Sequence, residues 1–371
     1  MKCTATCIFG LESVLISDLK KLDFKNIQSE NGRVDFESDL YGIAKANIWL
    51  RTAERVFIEM ADFKAVTFDE LYDNVNKLQF HRFIDQNGEF TVNVSSLSSV
   101  LKSVPGCQSI IKKAIVDSMS KIYKIKDFPE DGAKYPVNAF IFKDRVRIYL
   151  DTSGTSLYKR GYRKAGGDAP LRETLASGLV QLSYWNRSRI LMDPFCGSGT
   201  ILIEAAMIAR NIAPGLKREF SSMEWKIFRN GEWPKAIQEA EQLKYTGEIE
   251  KMYGSDIDKD LIRIAQGNAR NAGVADMISF SVHDFVNVVP VAEKGIIICN
   301  PPYGDRLEDK ETAERIFKDM GEQFKKFEYW SKYILAPENE FEQFYNRKAD
   351  KKRKLNNGKI LCNLYQYFGI K

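Results

Sequence analysis

The chain has 371 residues, 44% hydrophobic and 28% charged, and a net charge of +5 from 55 Lys/Arg and 50 Asp/Glu. These proportions support two or three domains around buried cores and exclude a disordered, collagen-like or coiled-coil chain. No apolar run approaches the roughly 18 residues that span a bilayer. The start, MKCTATCIFGLESVL, lacks the basic stretch, long apolar core and cleavage site of a signal peptide, so a cytoplasmic protein is expected.

The first hundred residues alternate strand-like and helical pieces. Cys3 to Phe9 alternates as a strand, and Leu11 to Leu22 has helical spacing with Leu11, Val14, Leu15, Leu19 and Leu22 inward. Asn31-Gly32 signals a hairpin before Arg33 to Phe36. Tyr41 to Ala53 reads as a helix and Arg55 to Phe63 as a strand, an order that predicts a small ferredoxin-like α+β domain over 1–65. Asn87-Gly88 opens a second unit, 66–160, with a strand Glu89 to Val94, a helix Ser109 to Ile122 and a hairpin of Ala139 to Phe142 with Arg145 to Leu150.

From Leu171 onward the rhythm changes. Short apolar strands at Arg189 to Met192, Lys251 to Ser255, Met277 to Ser281 and Gly295 to Cys299 alternate with helices at Leu171–Leu182, Thr200–Arg210 and Lys259–Ala272. Strands that are apolar throughout and joined by helices predict a mostly parallel, doubly wound α/β sheet of Rossmann-like form over 161–371. Asn211 to Glu250 reads as an insertion carrying Trp225 and Trp233. Lys348 to Lys354 reads as a solvated charge run or a phosphate contact, and Asn356-Asn357-Gly358 turns into a last strand, Lys359 to Phe368.

Charge is unevenly spread. Residues 1–99 carry 11 Lys/Arg against 15 Asp/Glu, 100–164 carry 14 against 6, and 165–371 carry 30 against 29. The six cysteines form no C-x-x-C pair, and His81 and His283 stand far from one another and from any cysteine at ligand spacing. Reduced thiols are expected, and neither a metal site nor a histidine-based hydrolytic triad is.

Three strand ends carry the chemistry. Asp193-Pro194-Phe195-Cys196-Gly197-Ser198-Gly199-Thr200 follows the first strand of the doubly wound region. Its glycines permit a tight turn and a close ligand approach, and the helix that follows offers free N–H groups. The Gly-Lys-Ser/Thr ending of a phosphate loop is missing, and Ile203 stands where a dinucleotide fingerprint needs its third glycine. An acidic strand end before such a loop suits a cofactor with a cationic amino group. At the second strand end, Asp256 is placed to accept from ribose hydroxyls, Ile257 to lie against an adenine, and Asp258 to cap the next helix. Asp284, after the third strand, reads either as an adenine-amine acceptor or as a turn residue. At the fourth, Asn300-Pro301-Pro302-Tyr303-Gly304 offers a carboxamide and a proline carbonyl that grip one –NH2, two prolines that stiffen the backbone, and an aromatic face for a planar base.

In this order, DPFCGSGT (193–200) and NPPYG (300–304) resemble the class I S-adenosylmethionine-dependent methyltransferases that modify exocyclic amines of nucleobases. GYRKAGGDAPLRETLASGL (161–179), APGLKREF (213–220) and QSIIKKAIVDSM within 89–123 are similar to one branch, the THUMP-domain methyltransferases typified by the bacterial 23S rRNA guanine-N2 enzyme. The resemblance implies that Asp193, Pro194, Phe195, Cys196, Gly197, Gly199 and Thr200 hold the amino-acid end of S-adenosylmethionine, with Pro170 to Thr174 closing over it. It implies that Asp256 holds the ribose, Ile257 and Asp284 flank the adenine, and Asn300 with Pro301 and Pro302 presents the target amine beside the cofactor while Tyr303 stacks on the base. Some bacterial relatives carry a second methyltransferase module after this one. The chain ends at Lys371, so that module's activity is not expected.

The basic excess reads as an RNA surface formed by Lys112, Lys113, Lys121 and Lys124, with Arg160, Arg163 and Lys164 in the linker. Lys126 and Lys159 share the same stretch. The expected activity is methyl transfer to guanine N2 in 23S rRNA or a large-subunit precursor, with no membrane or metal partner. A tRNA guanine, adenine N6 in DNA, and a catalytically idle ribosome assembly factor remain as alternatives. The RNA-binding front half, with no separate sequence-reading DNA module, favours RNA over DNA, and the intact cofactor and amine motifs count against an idle copy.

Overall fold

The computed structural model describes residues 1–163, 171–303, 307–338 and 341–370. The first half is built on β1 (Lys2–Cys7), α1 (Glu12–Lys21), β2 (Lys25–Glu30), β3 (Arg33–Glu37), α2 (Leu40–Trp49) and β4 (Ala53–Lys64). It continues with α3 (Phe68–Asn76), β5 (Val92–Leu97), α4 (Val104–Tyr123), β6 (Val137–Phe142) and β7 (Arg145–Asp151). These strands form one seven-stranded sheet in the order β2-β3-β1-β4-β7-β6-β5. Only β5 and β6 run parallel. The β4–β7 pairing, from Phe57↔Asp151 to Lys64↔Arg145, joins the ferredoxin-like strands and the strands after residue 66 into a single sheet.

Local chemistry explains most boundaries. Val14, Leu15 and Leu19 of α1 are buried, as their spacing predicts. Asp39 caps α2 by accepting the Gly42 N–H at 2.7 Å, and the helix ends at Trp49 because Leu50 is extended. The helix expected from Ser109 starts at Val104 instead. Ser103 caps it, accepting the Gly106 N–H at 3.2 Å, and Pro105 occupies the first turn, where its missing N–H costs nothing. Sequence reading missed α3, which Thr67 caps by accepting the Glu70 N–H at 3.1 Å.

The charge blocks also meet across this sheet. Arg145 donates to both carboxylate oxygens of Asp62 at 2.6 Å, and Arg147 donates to Glu30 and Asp62. Two of the cations in the basic stretch therefore neutralise the acidic stretch before it.

The second half comprises α5 (Glu173–Leu182), β8 (Leu191–Asp193), α6 (Thr200–Ala209), α7 (Glu232–Gln242), β9 (Met252–Asp256), α8 (Lys259–Ala272), β10 (Ile278–Val282) and β11 (Ile296–Cys299). After these come α9 (Leu307–Gln323), β12 (Ser331–Pro337), α10 (Phe341–Tyr345), β13 (Lys351–Asn357) and β14 (Ile360–Tyr367). The sheet order is β10-β9-β8-β11-β12-β14-β13, parallel from β10 through β12 and antiparallel at β14 and β13. The expected Rossmann-like sheet is present. The chain winds outward from β8 to β10, then returns to place β11 on the other side of β8. That reversal makes the carboxyl ends of β8 and β11 the topological switch point, the place where open α/β sheets bind ligands.

The run Lys348 to Lys354 is not a solvated loop, because β13 begins at Lys351 and forms the edge of the sheet. Lysines are at home on a sheet edge, where they discourage further pairing. Arg353 donates to Gly10 O and to Ser13 Oγ, both at 2.7 Å, which ties this edge to the first half. The insertion also belongs with the first half's core. Trp225 stacks on Tyr135 at 4.9 Å and donates its indole N–H to Lys134 O at 2.8 Å, while Trp233 stacks on Phe220. Among the described residues no helix is long and apolar enough to cross a membrane, and no group of three or more His, Cys, Asp or Glu is placed to hold a metal. All six cysteines are buried and free.

Candidate active site

The site forms where β8, β9, β10 and β11 end. Asp193 closes β8 at 1% exposure, and its Oδ1 accepts the Phe195 N–H at 3.1 Å. Burial, aided by the nearby Asp256 carboxylate, holds its carboxyl well above the ordinary range. The turn after it is fastened on three sides. The Cys196 N–H donates to Ser255 O at 2.9 Å, the Gly199 N–H to Cys196 O at 2.8 Å, and Asn268 Nδ2 to Ser198 O at 3.2 Å. Pro194 is buried and Phe195 packs against Phe285 at 4.7 Å.

The two glycines of the turn have different surroundings. Both are left-handed, with φ +51 at Gly197 and φ +83 at Gly199. A Cβ on Gly199 would lie 3.0 Å from the Phe280 ring and 3.1 Å from Ala265 Cβ, so this glycine lets the turn pack onto α8 and β10. A Cβ on Gly197 would meet nothing within 4 Å. Gly197 therefore faces open space, as a ligand-facing position requires.

Asp256 ends β9 and accepts two backbone N–H groups, Gly197 at 2.9 Å on Oδ2 and Asp258 at 3.1 Å on Oδ1. It thus couples the glycine turn to the β9 end while remaining half-exposed. Asp258 caps α8, accepting from Asp260 N at 2.7 Å and Leu261 N at 3.2 Å. Ile257 between them is 71% exposed, an apolar side chain left open at the rim. Asp284 is half-exposed and accepts the Val286 N–H at 3.2 Å, so its turn role is present.

Asn300 follows β11, which pairs with β8, so the carboxamide and the glycine turn issue from neighbouring strand ends. Pro301 is buried and Pro302 exposed. Tyr303 does not stand open as a stacking face. Its ring is half-buried against the apolar cluster of the second half, and its hydroxyl donates to Asn300 Oδ1. Gly304 lies outside the described residues, as does Pro170.

The sequence expectation for the linker needs correcting. Arg160 cannot serve as an RNA contact, because it is 3% exposed, ion-paired with Glu204 at 3.5 Å and bonded to Leu157 O and Arg51 O. Arg163 is half-buried and donates to Thr200 Oγ1 at 2.8 Å and Leu171 O at 3.0 Å, which ties the linker to the start of α6. Lys164 lies outside the described residues. By contrast Lys112, Lys113, Lys121 and Lys124 are all exposed on α4 and its cap. Lys112 is shared with Glu130 at 3.2 Å, and Lys121 donates to Asn76 Oδ1 at 2.8 Å.

Glu173, at the start of α5, lies within the segment Pro170 to Thr174 expected over the amino-acid end of the cofactor, but sequence reading gave it no role of its own. It is buried, pairs with Arg163 at 3.4 Å and has one carboxylate oxygen without a partner. Burial pushes its carboxyl up to about 7 despite that pairing. The signal was present as an acidic residue opening a largely apolar helix.

Comparison with known proteins agrees with this architecture. Residues 160–366 match the RMKL-like methyltransferase domain, 2–57 the RlmL ferredoxin-like domain and 65–151 the THUMP domain. The chain is 44% identical to "Putative RNA methyltransferase YpsC" of Bacillus subtilis, covering 98% of this chain and 95% of that protein. It is 37% identical to the Psychromonas ingrahamii "Ribosomal RNA large subunit methyltransferase K/L", covering 96% of this chain and 49% of that protein, so it spans about half of that relative's length. A solved Listeria monocytogenes structure described as a "predicted N6-adenine-specific DNA methylase" superposes with TM-score 0.94 at 43% identity, covering 100% of this chain and 96% of the other. SMU.472, "a putative methyltransferase complexed with SAH", superposes with TM-score 0.94 at 37% identity, covering 100% and 98%. The open side of Gly197, the buried acid at the β8 end and the half-exposed acid at the β9 end fit such a cofactor. The chain belongs to the RMKL-like methyltransferases, with a THUMP domain ahead of an S-adenosylmethionine-dependent methyltransferase domain.

Proposed function

We propose that the protein methylates RNA, transferring the methyl group of S-adenosylmethionine to the exocyclic N2 amine of a flipped-out guanine in 23S rRNA. One observation carries this reading. The glycine turn after β8 and the Asn300-Pro301 acceptors after β11 lie on neighbouring strand ends, so a cofactor on one and a base on the other meet at the switch point.

The sulfonium supplies an already activated methyl group, leaving the protein to align donor and acceptor. Asp193 and the Gly197 side of the turn would hold the amino-acid end, and Asp256 the ribose. Asn300 Oδ1 and the Pro301 carbonyl would accept hydrogen bonds from the amine, aim the nitrogen lone pair at the methyl and stabilise the positive charge that develops as the carbon–sulfur bond breaks; S-adenosylhomocysteine then leaves, and the methylated nitrogen gives up one proton to water. Tyr303 would stack on the base once its ring is free. A base stacked in a helix cannot reach these groups, so the target is single-stranded or extruded. Residues 1–65 and 66–160, joined in one sheet, would position the RNA through Lys112, Lys113, Lys121 and Lys124. The THUMP match and the names of two relatives support RNA as the substrate. The Listeria relative's description supports adenine N6 in DNA as the second reading, since the same acceptors suit either amine.

Asn300→Ala tests the assignment. It should bind S-adenosylhomocysteine as tightly as the parent and lose methyl transfer, whereas Asp256→Ala should weaken cofactor binding itself. Full transfer by Asn300→Ala would refute it.

A further inference from the structure

The acceptor that is to hold the target amine is already in use. Tyr303 donates its hydroxyl to Asn300 Oδ1, the atom assigned above to the base. Burial keeps that hydroxyl protonated, so it is a donor over the whole working pH range. Its ring lies against the apolar cluster of the second half, beside the Cys362 thiol of β14. Asn357 also meets the hydroxyl, its Nδ2 donating to it at 3.5 Å.

Asn357 is the last residue of β13 and pairs with Ile360 at the hairpin turn. It lies 54 residues from Tyr303 in sequence, and nothing in the Asn-Asn-Gly turn signal points to the active site. The hairpin is in turn fastened to the first half through Arg353, Gly10 and Ser13. A contact of this kind is not needed to fold the turn, because a hairpin turn needs only its own backbone geometry.

We propose that Asn357 is a positioning residue that parks Tyr303 across Asn300, and that the tyrosine hydroxyl stands in for the substrate amine until a base displaces it. The inference rests on the reading of Asn300 as the amine acceptor. An entering base amine takes over Oδ1, the tyrosine ring leaves the cluster, and the freed ring becomes the stacking face. The arrangement leaves the Asn300 carboxamide oxygen paired, and an unsatisfied half-buried acceptor is costly. It also sets a threshold, since only a group that donates to Asn300 as well as the hydroxyl does can open the site.

The test uses the full chain, labelled S-adenosylmethionine and total RNA from cells lacking the corresponding gene. Asn357→Ala removes the holder without touching the base site, and Tyr303→Phe removes the competing hydroxyl but keeps the ring. An intramolecular hydrogen bond of ordinary net strength corresponds to about 2- to 10-fold in an equilibrium. Both variants should therefore lower the apparent KM for RNA by about 2- to 10-fold, with S-adenosylhomocysteine affinity unchanged. In the double variant the two effects should not add. An apparent KM that stays the same or rises in Tyr303→Phe overturns the proposal, as does additivity in the double variant. If Asn300→Ala keeps full transfer, or the parent labels no RNA, the functional reading fails as well. If Asn300→Ala loses transfer while Asn357→Ala and Tyr303→Phe leave KM in place, only the parking of Tyr303 fails.

Discussion

Replacing Gly197 with alanine separates a turn that faces a ligand from one that merely turns. The left-handed backbone at φ +51 charges any side chain on the order of 1–2 kcal/mol. No clash adds to that, because the new methyl has nothing within 4 Å. Gly199→Ala suffers the same strain at φ +83, and its methyl also presses on the Phe280 ring and Ala265 at 3.0 and 3.1 Å. Overpacking of that kind typically costs a further ~1–3 kcal/mol. Urea unfolding should therefore rank the parent above Gly197→Ala and Gly197→Ala above Gly199→Ala. Cofactor affinity should respond far more strongly than stability at position 197, because the methyl fills the open side of the turn where the amino-acid end would lie. A loss of about 100-fold in S-adenosylhomocysteine affinity by calorimetry, roughly 2.7 kcal/mol, is expected from a folded protein. Parent-like affinity in a slightly destabilised Gly197→Ala would show that the turn does not face the cofactor, and the assignment of residues 193–200 would fall with it.

Four further outcomes rest on the packing and charges. Arg160→Ala leaves Glu204 buried without its cation and should cost about 3–5 kcal/mol in urea unfolding. Lys113→Glu should leave stability nearly intact but weaken RNA binding and reduce its salt slope by about 1 or more, and unchanged binding would remove α4 from the RNA surface. Trp225→Ala should lose about 3–5 kcal/mol, because it removes a buried indole stacked on Tyr135 and holding the insertion to the first half. Lys332→Met should stabilise the protein at pH 7 by up to about 3 kcal/mol, since burial pushes this 2%-exposed ammonium down to about 8. The folded state holds that proton less tightly than the unfolded chain does. The gain from Lys332→Met is therefore full below pH 8 and fades as pH rises toward 10.5, as a pair of urea titrations across that window would show.

The parts of the fold that were legible in sequence are those where local pattern and burial coincide. The wholly buried run Ile296–Cys299 and the Asn31-Gly32 turn each declare their structure within a few residues, whereas the alternation read from Cys3 marks the strand Lys2–Cys7 although Thr4 is buried along with its neighbours. Elements with polar outer faces were not legible. α9, rich in Lys and Glu, and α3 between loops have apolar stripes too narrow to stand out. β13 reads as a charge run because an edge strand tolerates lysines. In the site, the three strand-end motifs were visible because glycine, proline and acidic residues cluster there for chemical reasons. What could not be read was pairing at a distance. Arg160 looks like a surface cation until Glu204 arrives from α6, and Asn357 looks like a turn residue until Tyr303 folds against it.

The central claim is that the two strand ends join a methyl donor to a guanine amine in RNA. It is tested most directly by incubating the parent protein with labelled S-adenosylmethionine and separate pools of rRNA, tRNA and duplex DNA, then digesting each to nucleosides. The account predicts label in N2-methylguanosine from 23S rRNA. Label in N6-methyladenine from DNA, or in no nucleoside from any pool, would contradict it.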